Sequence, residues 1–316
     1  MQDVKGKTAL ITGGGGGMGL GIGLACARAG MRVVLTDLRE EALREAKAAF
    51  GEHAGAVLTL QHDVTDRARW ATIAEEVERA VGAVHVLALN AGVGVVGPMP
   101  KATYKDWDYA MSVNVGGVVN GLVTMLPRML AHGQWGRIVV TSSTGGFSAV
   151  GGAGIYCATK FAVAGMLESL ATDLQDTPLG ASVFFPGPVQ TPLAQTTDLV
   201  RPAHLKNEVP SYTEADRGGR PAPGFDQSVF MTKEEVGERV LNGVRRGDLF
   251  IMTHPEFRNG IVARNSALLR AIPDEPINEP RAALVRQFGT LMYNPIYDEQ
   301  RAVPGNELGG EIEGKA

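Results

Sequence analysis

The sequence is poor in the residue types that mark disulfide-rich and metal-binding proteins. Its 316 residues include two cysteines, Cys26 and Cys157, which are distant in the chain and have no metal-ligand spacing around them. We therefore expect no metal site, and we expect both thiols to be free and buried in a reducing compartment, the cytoplasm. Cys157 adjoins Tyr156 but should point elsewhere on a helix, so a catalytic thiol is not favoured.

The chain also lacks an excess of positive charge and any long uninterrupted apolar run. Lys and Arg number 30 against 34 Asp and Glu, so the net charge of −4 gives no reason to expect nucleic acid or an anionic membrane surface as a partner. Asn, Gly and Pro interrupt the most apolar stretches before the ~20 residues that a transmembrane helix needs. The charged start, MetGlnAspValLysGlyLys, runs directly into a predicted strand and resembles no signal peptide. We therefore expect no membrane partner.

What the chain does contain is a regular alternation of short apolar runs and longer amphipathic stretches. The runs predict strands at residues 8–12, 32–36, 57–61, 84–89, 137–141, 181–185 and 249–252. The stretches between them predict helices at residues 20–29, 66–81, 103–131, 153–175 and 232–246, and Asn114 and Gly116-Gly117 interrupt the third of these. This alternation of strands and helices predicts an α/β fold with a three-layer Rossmann-type doubly wound parallel sheet. Such sheets bind ligands at the carboxyl ends of their strands.

A glycine-rich turn joins the first predicted strand to the first predicted helix. It places Gly13, Gly17 and Gly19, with Met18 inside the turn, in the pattern TGxxxGxG. Glycines let the backbone approach a pyrophosphate, and a helix N-terminus supplies free N–H groups and a positive dipole end. The turn therefore predicts a dinucleotide site, and the alternative is a merely flexible loop.

An acidic residue, Asp37, ends the second predicted strand. A carboxylate at this point can accept hydrogen bonds from both ribose hydroxyls of an adenosine and would repel a 2′-phosphate. Arg39 is placed to bind such a phosphate, but Asp37 comes first, and Gly16 in the glycine turn offers no basic side chain. The sequence therefore favours NAD over NADP, although Asp37 also suits a cap for the helix that follows.

The third and fourth predicted strands also end in residues that suit a nucleotide. Asp63 and Val64 follow the third strand, where the carboxylate can hold the adenine amino group. Asn90, Ala91 and Gly92 follow the fourth strand, and this small-residue turn lets the backbone run close beside a cofactor. An ordinary turn between strand and helix is the alternative.

The candidate catalytic set consists of Asn114, Ser143, Tyr156 and Lys160. Tyr156 and Lys160 are four apart and share a helix face, where an ammonium lowers a tyrosine pKa. Base chemistry at neutral pH requires a shift of roughly three units from ~10, or about 4 kcal/mol, which we expect one lysine plus a cationic nicotinamide to supply. Ser143 can donate to the substrate oxygen whose proton Tyr156 moves. Asn114 either holds a water or backbone group that reaches Lys160 or is a satisfied core amide, and a YxxxK pair by itself can be a solvated helix face.

These motifs together resemble the short-chain dehydrogenase/reductase family over roughly residues 5–255. The matching elements are the glycine turn, Asp63, residues 90–92, the catalytic set and ProGlyProValGlnThr at residues 186–191. The resemblance implies that Tyr156 is the acid/base, and that Lys160 binds the nicotinamide ribose and lowers the tyrosine pKa. It also implies that Ser143 orients the substrate oxygen and that Asn114 supports a water-linked proton relay.

The resemblance further assigns Pro186, Gly187, Val189 and Thr191 to cofactor binding. Val189 and Thr191 match the positions that hold the nicotinamide carboxamide. One departure is Leu89, where the family often has a second Asn before AsnAlaGly; we expect no effect on the chemistry.

The last third of the chain departs from the plain family pattern. Residues 193–231 are rich in Pro and Gly with scattered large apolar side chains, so we expect a substrate lid within a catalytic domain at 1–262. Residues 263–316 form a predicted C-terminal extension, with helices at 261–269 and 281–291 and disorder in its last residues. His254 either approaches a substrate or serves a structural role in a turn.

The lid, the segment LeuPheIleMetThrHisProGluPheArg and the extra C-terminal helix resemble the bacterial Cα-dehydrogenases of lignin-derived β-aryl ethers. That resemblance implies NAD-dependent oxidation of a bulky benzylic alcohol to a ketone. We therefore predict an oxidoreductase that interconverts a small-molecule secondary alcohol and ketone, as a homodimer or homotetramer. The alternatives are an NADPH-dependent ketone reductase and a cofactor-binding regulatory or scaffold protein without turnover.

Overall fold

A parallel β-sheet organises the protein, which a computed structural model describes over residues 1–209, 226 and 228–304. Within these residues seven strands pair in the order β3-β2-β1-β4-β5-β6-β7, and every neighbouring pair is parallel. The strands are β1 (Thr8–Thr12), β2 (Arg32–Asp37), β3 (Val57–Gln61), β4 (Val86–Leu89), β5 (Gly136–Thr141), β6 (Leu179–Phe185) and β7 (Phe250–Met252). The strand order reverses between β1 and β4, where doubly wound sheets open a ligand crevice. The predicted fold is confirmed.

Helices cover both faces of the sheet and give the protein its three layers. They are α1 (Gly17–Arg28), α2 (Glu40–Ala49), α3 (Arg67–Val81), α4 (Tyr104–Ala110), α5 (Gly117–Ala131), α6 (Gly154–Asp173), α7 (Leu193–Leu199), α8 (Lys233–Arg246), α9 (Arg258–Arg270) and α10 (Glu279–Arg286). Because side chains alternate along β1, Ile11 enters a core with α1, α2 and α8, whereas Leu10 enters a second core with α3, α5 and α6.

Helices α1 and α8 touch through two glycines rather than through large side chains. A Cβ on Gly21 would lie 1.9 Å from the Lys233 carbonyl oxygen, and a Cβ on Gly237 would lie 2.1 Å from the Gly21 carbonyl oxygen. Thr232 caps α8, since its hydroxyl accepts the Glu235 N–H at 3.2 Å. This cap confirms the predicted start of the helix at Thr232. The two glycine distances show that the backbones of α1 and α8 pack too closely for any side chain at the crossing.

The interruption predicted at Asn114 takes the form of a π-helical turn. The chain passes from α4 through a π-helical turn, Met111–Gly116, directly into α5. Within the described residues this stretch, Tyr104–Ala131, is the one helix long and apolar enough to cross a membrane by length and composition. Met125 and Met129 on α5 are nonetheless fully buried in the core that α5 shares with α3, as in a core helix of an α/β domain.

The C-terminal extension returns to the sheet after two helices. The predicted boundary at 262/263 falls within α9, and residues 305–316, whose disorder we predicted, lie outside the described residues. Asn294 donates to the Thr172 hydroxyl at 2.7 Å, and the Gln300 side chain accepts the Phe250 N–H at 2.7 Å, which occupies a donor of the edge strand β7. Of the predicted lid, 210–225 and 227 also lie outside the described residues, whereas its first part forms α7, a helix that the sequence did not predict.

Candidate active site

Ser143, Tyr156 and Lys160 meet at the carboxyl end of β5. Ser143 follows β5, and its hydroxyl is hydrogen-bonded to Tyr156 and accepts the Gly145 N–H at 3.1 Å. Tyr156 and Lys160 lie one turn apart on α6, with the Lys160 nitrogen 5.7 Å from the centre of the tyrosine ring. That nitrogen donates to the Thr141 carbonyl oxygen at 2.8 Å. The three side chains can therefore surround one substrate oxygen.

Burial dominates the ionisation of this set. Burial raises the pKa of Tyr156, and the hydrogen bond from Ser143 offsets only part of that effect. Burial also lowers the pKa of Lys160 to about 8. Burial thus opposes the phenolate that we expect Lys160 and a cationic nicotinamide to stabilise together, and the lowered tyrosine pKa stays a prediction.

Asn114 lies in the π-helical turn with its amide fully bonded. Its oxygen accepts the Val93 N–H at 2.8 Å, and its nitrogen donates to the Val93 carbonyl at 2.9 Å and to the Thr159 hydroxyl at 3.0 Å. These bonds fit the core-amide interpretation and tie the loop after β4 to the catalytic helix. A Cβ on Gly92 would lie 3.1 Å from the Asn114 oxygen and 3.4 Å from the Lys160 nitrogen. The water relay stays a prediction.

A cleft of about 500 Å³ runs along the carboxyl ends of β1 to β4. The predicted cofactor residues that line it are Gly13, Gly17, Met18, Asp37, Asp63, Val64, Asn90, Ala91, Gly92 and Thr191. Gly19 is needed for packing, because a Cβ added at this position would lie 2.2 Å from the Gly13 carbonyl oxygen and would disrupt the turn. Gly17 has a φ of +50° at the start of α1, a conformation that favours glycine. The glycine turn thus presents its backbone to the cleft.

Asp37 lines the cleft at the end of β2. Its carboxylate accepts the Gly15 N–H and the Arg39 N–H, each at 3.0 Å. Arg39 is the N-terminal cap residue of α2, which has no side-chain cap bond, so Asp37 is not the helix cap that we considered. Asp63 accepts both the N–H and the hydroxyl of Thr65 at 2.8 Å. Both carboxylates are held by main-chain donors at the mouth of the cleft.

Residues 186–191 connect the catalytic set to the glycine turn. The Pro186 carbonyl accepts the Thr144 N–H at 3.0 Å, and the Gly187 N–H donates to the Thr253 hydroxyl at 2.9 Å. Val189 forms a β-bridge with Met231. The Thr191 methyl lies 3.3 Å from where a Gly17 Cβ would stand. The segment therefore runs beside the cleft, which Thr191 lines, and its binding of the nicotinamide stays a prediction.

His254 packs beside this segment. Its Nδ1 lies 2.6 Å from the Thr253 hydroxyl, and its ring meets Phe257 edge to face at 5.8 Å. A Cβ on Gly187 would lie 2.6 Å from the same nitrogen. These contacts fit the structural alternative for His254. Cys26 and Cys157 are both buried, as predicted, and burial raises the pKa of Cys26 to about 12.

Sequence reasoning missed His62, which lines the cleft beside Asp63. The residue is 2% exposed, and its Nε2 has no hydrogen-bond partner among the described residues. Burial lowers its pKa to about 4, so the ring is neutral at pH 7. An unpaired buried nitrogen is costly unless a ligand or water reaches it. Together with the glycine turn and Asp37, it makes the cleft fit the adenosine half of a dinucleotide.

Comparisons with known proteins agree with this geometry. The short chain dehydrogenase family profile matches residues 7–200. A C alpha-dehydrogenase from Sphingobium sp. (strain NBRC 103272 / SYK-6) is 34% identical over 273 residues, or 86% of this chain and 88% of the relative.

Two solved structures are also similar. Apo LigO from Sphingobium sp. strain SYK-6 is 36% identical, with a TM-score of 0.72 over 93% of this chain and 100% of that one. A short chain dehydrogenase/reductase from Burkholderia phymatum in complex with NAD is 29% identical, with a TM-score of 0.79 over 88% of this chain and 100% of that one. The resemblance to Cα-dehydrogenases is confirmed, and the chain belongs to the short-chain dehydrogenase family.

Proposed function

We propose that this oxidoreductase uses NAD to interconvert a bulky aromatic secondary alcohol and its ketone. The observation that carries the proposal is the meeting of Ser143, Tyr156 and Lys160 beside a cleft that fits a dinucleotide. A bound NAD supplies the hydride acceptor and a positive charge on the nicotinamide ring.

The chain's own residues handle the proton. Ser143 orients the substrate hydroxyl, and Tyr156 accepts its proton at the phenol oxygen. Lys160 binds the ribose hydroxyls and stabilises the phenolate, since burial alone opposes that charge. Asn114 holds the loop of Gly92 next to Lys160, and we assign to it the support of a water-linked proton relay from that lysine. In the reverse direction Tyr156 donates the same proton.

The fixed carboxylate of Asp37 supports NAD rather than NADP. Two main-chain donors hold it beside Gly15, where a 2′-phosphate would meet a negative charge. The structural relative from Burkholderia phymatum was solved with NAD. This arrangement disfavours the alternative of an NADPH-dependent ketone reductase.

Apolar side chains support a bulky aromatic substrate. Leu193, Val200 and Leu205 line the cleft beyond Thr191, and Val93 lines it from the loop after β4. The similar Sphingobium protein is a C alpha-dehydrogenase. We also infer that residues 193–231 act as the substrate lid of a catalytic domain at 1–262, and that the chain is a cytoplasmic homodimer or homotetramer. The C-terminal extension exposes the apolar side chains of Leu269, Phe288 and Leu291, which supports assembly into such an oligomer.

The test is a screen of secondary alcohols with NAD, in which NADH formation is followed by absorbance. Aryl carbinols with a second bulky substituent should react with a kcat/KM at least about tenfold above 2-propanol. Tight NADH binding without turnover on any alcohol or ketone would instead support the scaffold alternative.

A further inference from the structure

Asp106 is a buried carboxylate outside the catalytic set with four hydrogen-bond donors. It lies in the first turn of α4, with its side chain 1% exposed. The Thr103 N–H and hydroxyl donate to one oxygen at 3.0 and 2.8 Å. Arg201 and Asn207 donate to the other at 2.8 and 3.0 Å. Two of these donors therefore come from a segment about 100 residues further along the chain.

That segment, residues 193–207, is hereafter the docked segment. Besides Asp106 it contacts Tyr109, whose hydroxyl donates to the Thr197 carbonyl at 2.8 Å and whose ring lies 5.2 Å from the Arg201 guanidinium. At its other end the Thr197 hydroxyl accepts the Gly94 N–H at 2.8 Å. Apart from the exposed bond from Lys105 to the Lys206 carbonyl, the contacts described here are half-buried or buried. The segment is thus fixed along its length.

The docked segment forms one wall of the dinucleotide cleft. Its cleft-lining residues are Leu193, Thr196, Val200, Pro202, His204 and Leu205. Its Thr197 binds Gly94, two residues after Gly92, which packs beside Lys160. A change in how the segment docks would therefore alter the cleft directly, and it would affect the catalytic set only indirectly, through the loop of Gly92 and Gly94.

We propose that Asp106 is a positioning residue that holds the docked segment as a wall of the cleft and so sets the affinity for the dinucleotide. The inference rests on the proposed function for the identity of the ligand. A buried charge that loses its partner is strongly unfavourable, so the pair with Arg201 fixes one position of the segment. Burial acts to raise the pKa of Asp106, but the Thr103 hydrogen bonds and Arg201 lower it overall, which keeps the carboxylate charged at neutral pH.

The experiment measures NADH binding by fluorescence titration in four full-length variants: Asp106→Asn, Arg201→Met, the double variant and Lys105→Met. Each of the first two should raise the Kd about tenfold, or about 1.4 kcal/mol. The Kd of the double variant should lie within about twofold of the higher of the two single-variant Kd values, because all three variants lose the same Asp106–Arg201 pair. Lys105→Met, which removes the exposed contact to the same segment, should stay within about twofold of the wild type.

Two further readouts separate positioning from general damage. Tryptic cleavage after Lys206, followed by mass spectrometry, should be at least about fivefold faster in Asp106→Asn, because the docked segment is released. The kcat with saturating NAD and saturating alcohol should stay within about threefold, because Tyr156 and Ser143 are untouched. The KM for the alcohol should rise, because Leu193, Val200 and Leu205 also belong to the proposed substrate wall. If Asp106→Asn does not fold, Asn207→Ala, which removes one donor, should still raise the Kd about threefold.

Unchanged Kd and unchanged cleavage in Asp106→Asn would overturn the inference. A loss of kcat with no change in Kd would also overturn it, since Asp106 would then act on the chemistry. If the wild type bound no NADH, the proposed function would fail, while cleavage at Lys206 would still decide whether Asp106 holds the segment.

Discussion

The Lys160 ammonium lies 5.7 Å from the centre of the Tyr156 ring and is anchored 2.8 Å from the Thr141 carbonyl oxygen. The end of β5 therefore fixes the lysine and its charge over the tyrosine ring. Since burial raises the pKa of Tyr156, that charge and the bound cofactor must supply the stabilisation of the phenolate.

Lys160→Met should reduce kcat/KM for alcohol oxidation by at least about 100-fold, and the residual rate should rise toward higher pH. Without the ammonium the phenolate is less stable, so the tyrosine pKa rises further. The measurement is the pH profile of kcat/KM between pH 6 and about pH 10. Lys105→Met, an exposed lysine on α4, is the control and should keep the wild-type profile. An unshifted profile for Lys160→Met would show that Lys160 does not act on the tyrosine.

Asp37 should give the wild type at least a roughly tenfold preference for NAD over NADP in kcat/KM, or about 1.4 kcal/mol. Asp37→Ala should narrow this ratio, because it removes both the ribose hydrogen bonds and the repulsion of a 2′-phosphate. Glu40→Ala, an exposed carboxylate on α2, should leave the ratio within about twofold. Equal use of both cofactors by the wild type would contradict this role.

His62 should make folding sensitive to acid. Its folded-state pKa of about 4 lies below its ordinary 6.5, so the unfolded chain binds the proton more tightly. Its stabilising contribution is complete above about pH 6.5 and is lost as the pH falls toward 4. Between pH 7 and pH 4.5 the free energy of unfolding should drop by about 2.5 kcal/mol more in the wild type than in His62→Gln.

The measurement is urea denaturation of both proteins at the two pH values. His53→Gln, whose histidine side chain is 41% exposed, serves as the control and should lose stability as the wild type does. If the free energy of unfolding fell equally in His62→Gln and the wild type, His62 would bind its proton as tightly in the folded protein as in the unfolded chain.

Gly237→Ala should lower the free energy of unfolding by about 2 kcal/mol or more, because its Cβ would lie 2.1 Å from the Gly21 carbonyl oxygen. Gly260→Ala on α9 is the matched control, since nothing lies within 4 Å of its Cβ. That change should be neutral or stabilising by up to about 1 kcal/mol. Thermal and urea unfolding of the two variants make the comparison. Equal free energies of unfolding for Gly237→Ala and Gly260→Ala would mean that α1 and α8 can move apart without loss of stability.

The sequence predicted the sheet and most of the cleft because those features have local signals. Short apolar runs marked the strands, and each strand end carried its own motif, from the glycine turn to Ser143. The α7 helix had no such signal, since its seven residues are held by contacts from distant parts of the chain, such as the bond from the Tyr109 hydroxyl to the Thr197 carbonyl.

Burial explains the remaining differences between sequence and structure. The pKa of Tyr156 and the unpaired nitrogen of His62 depend on the depth at which the fold places them. Asn114 was expected to interrupt its helix, and it does so within a π-helical turn, where its side chain is bonded to Val93 and Thr159. No local pattern contains these contacts.

The central claim is that Tyr156 moves the proton in an NAD-dependent alcohol oxidation. The most direct test is the rate of NADH formation by Tyr156→Phe on the best alcohol of the screen, with its NADH Kd measured on the same sample. The variant should bind NADH within about threefold of the wild type and lose at least about 1000-fold in kcat, because the phenol oxygen has no substitute. A kcat within tenfold of the wild type would contradict the account.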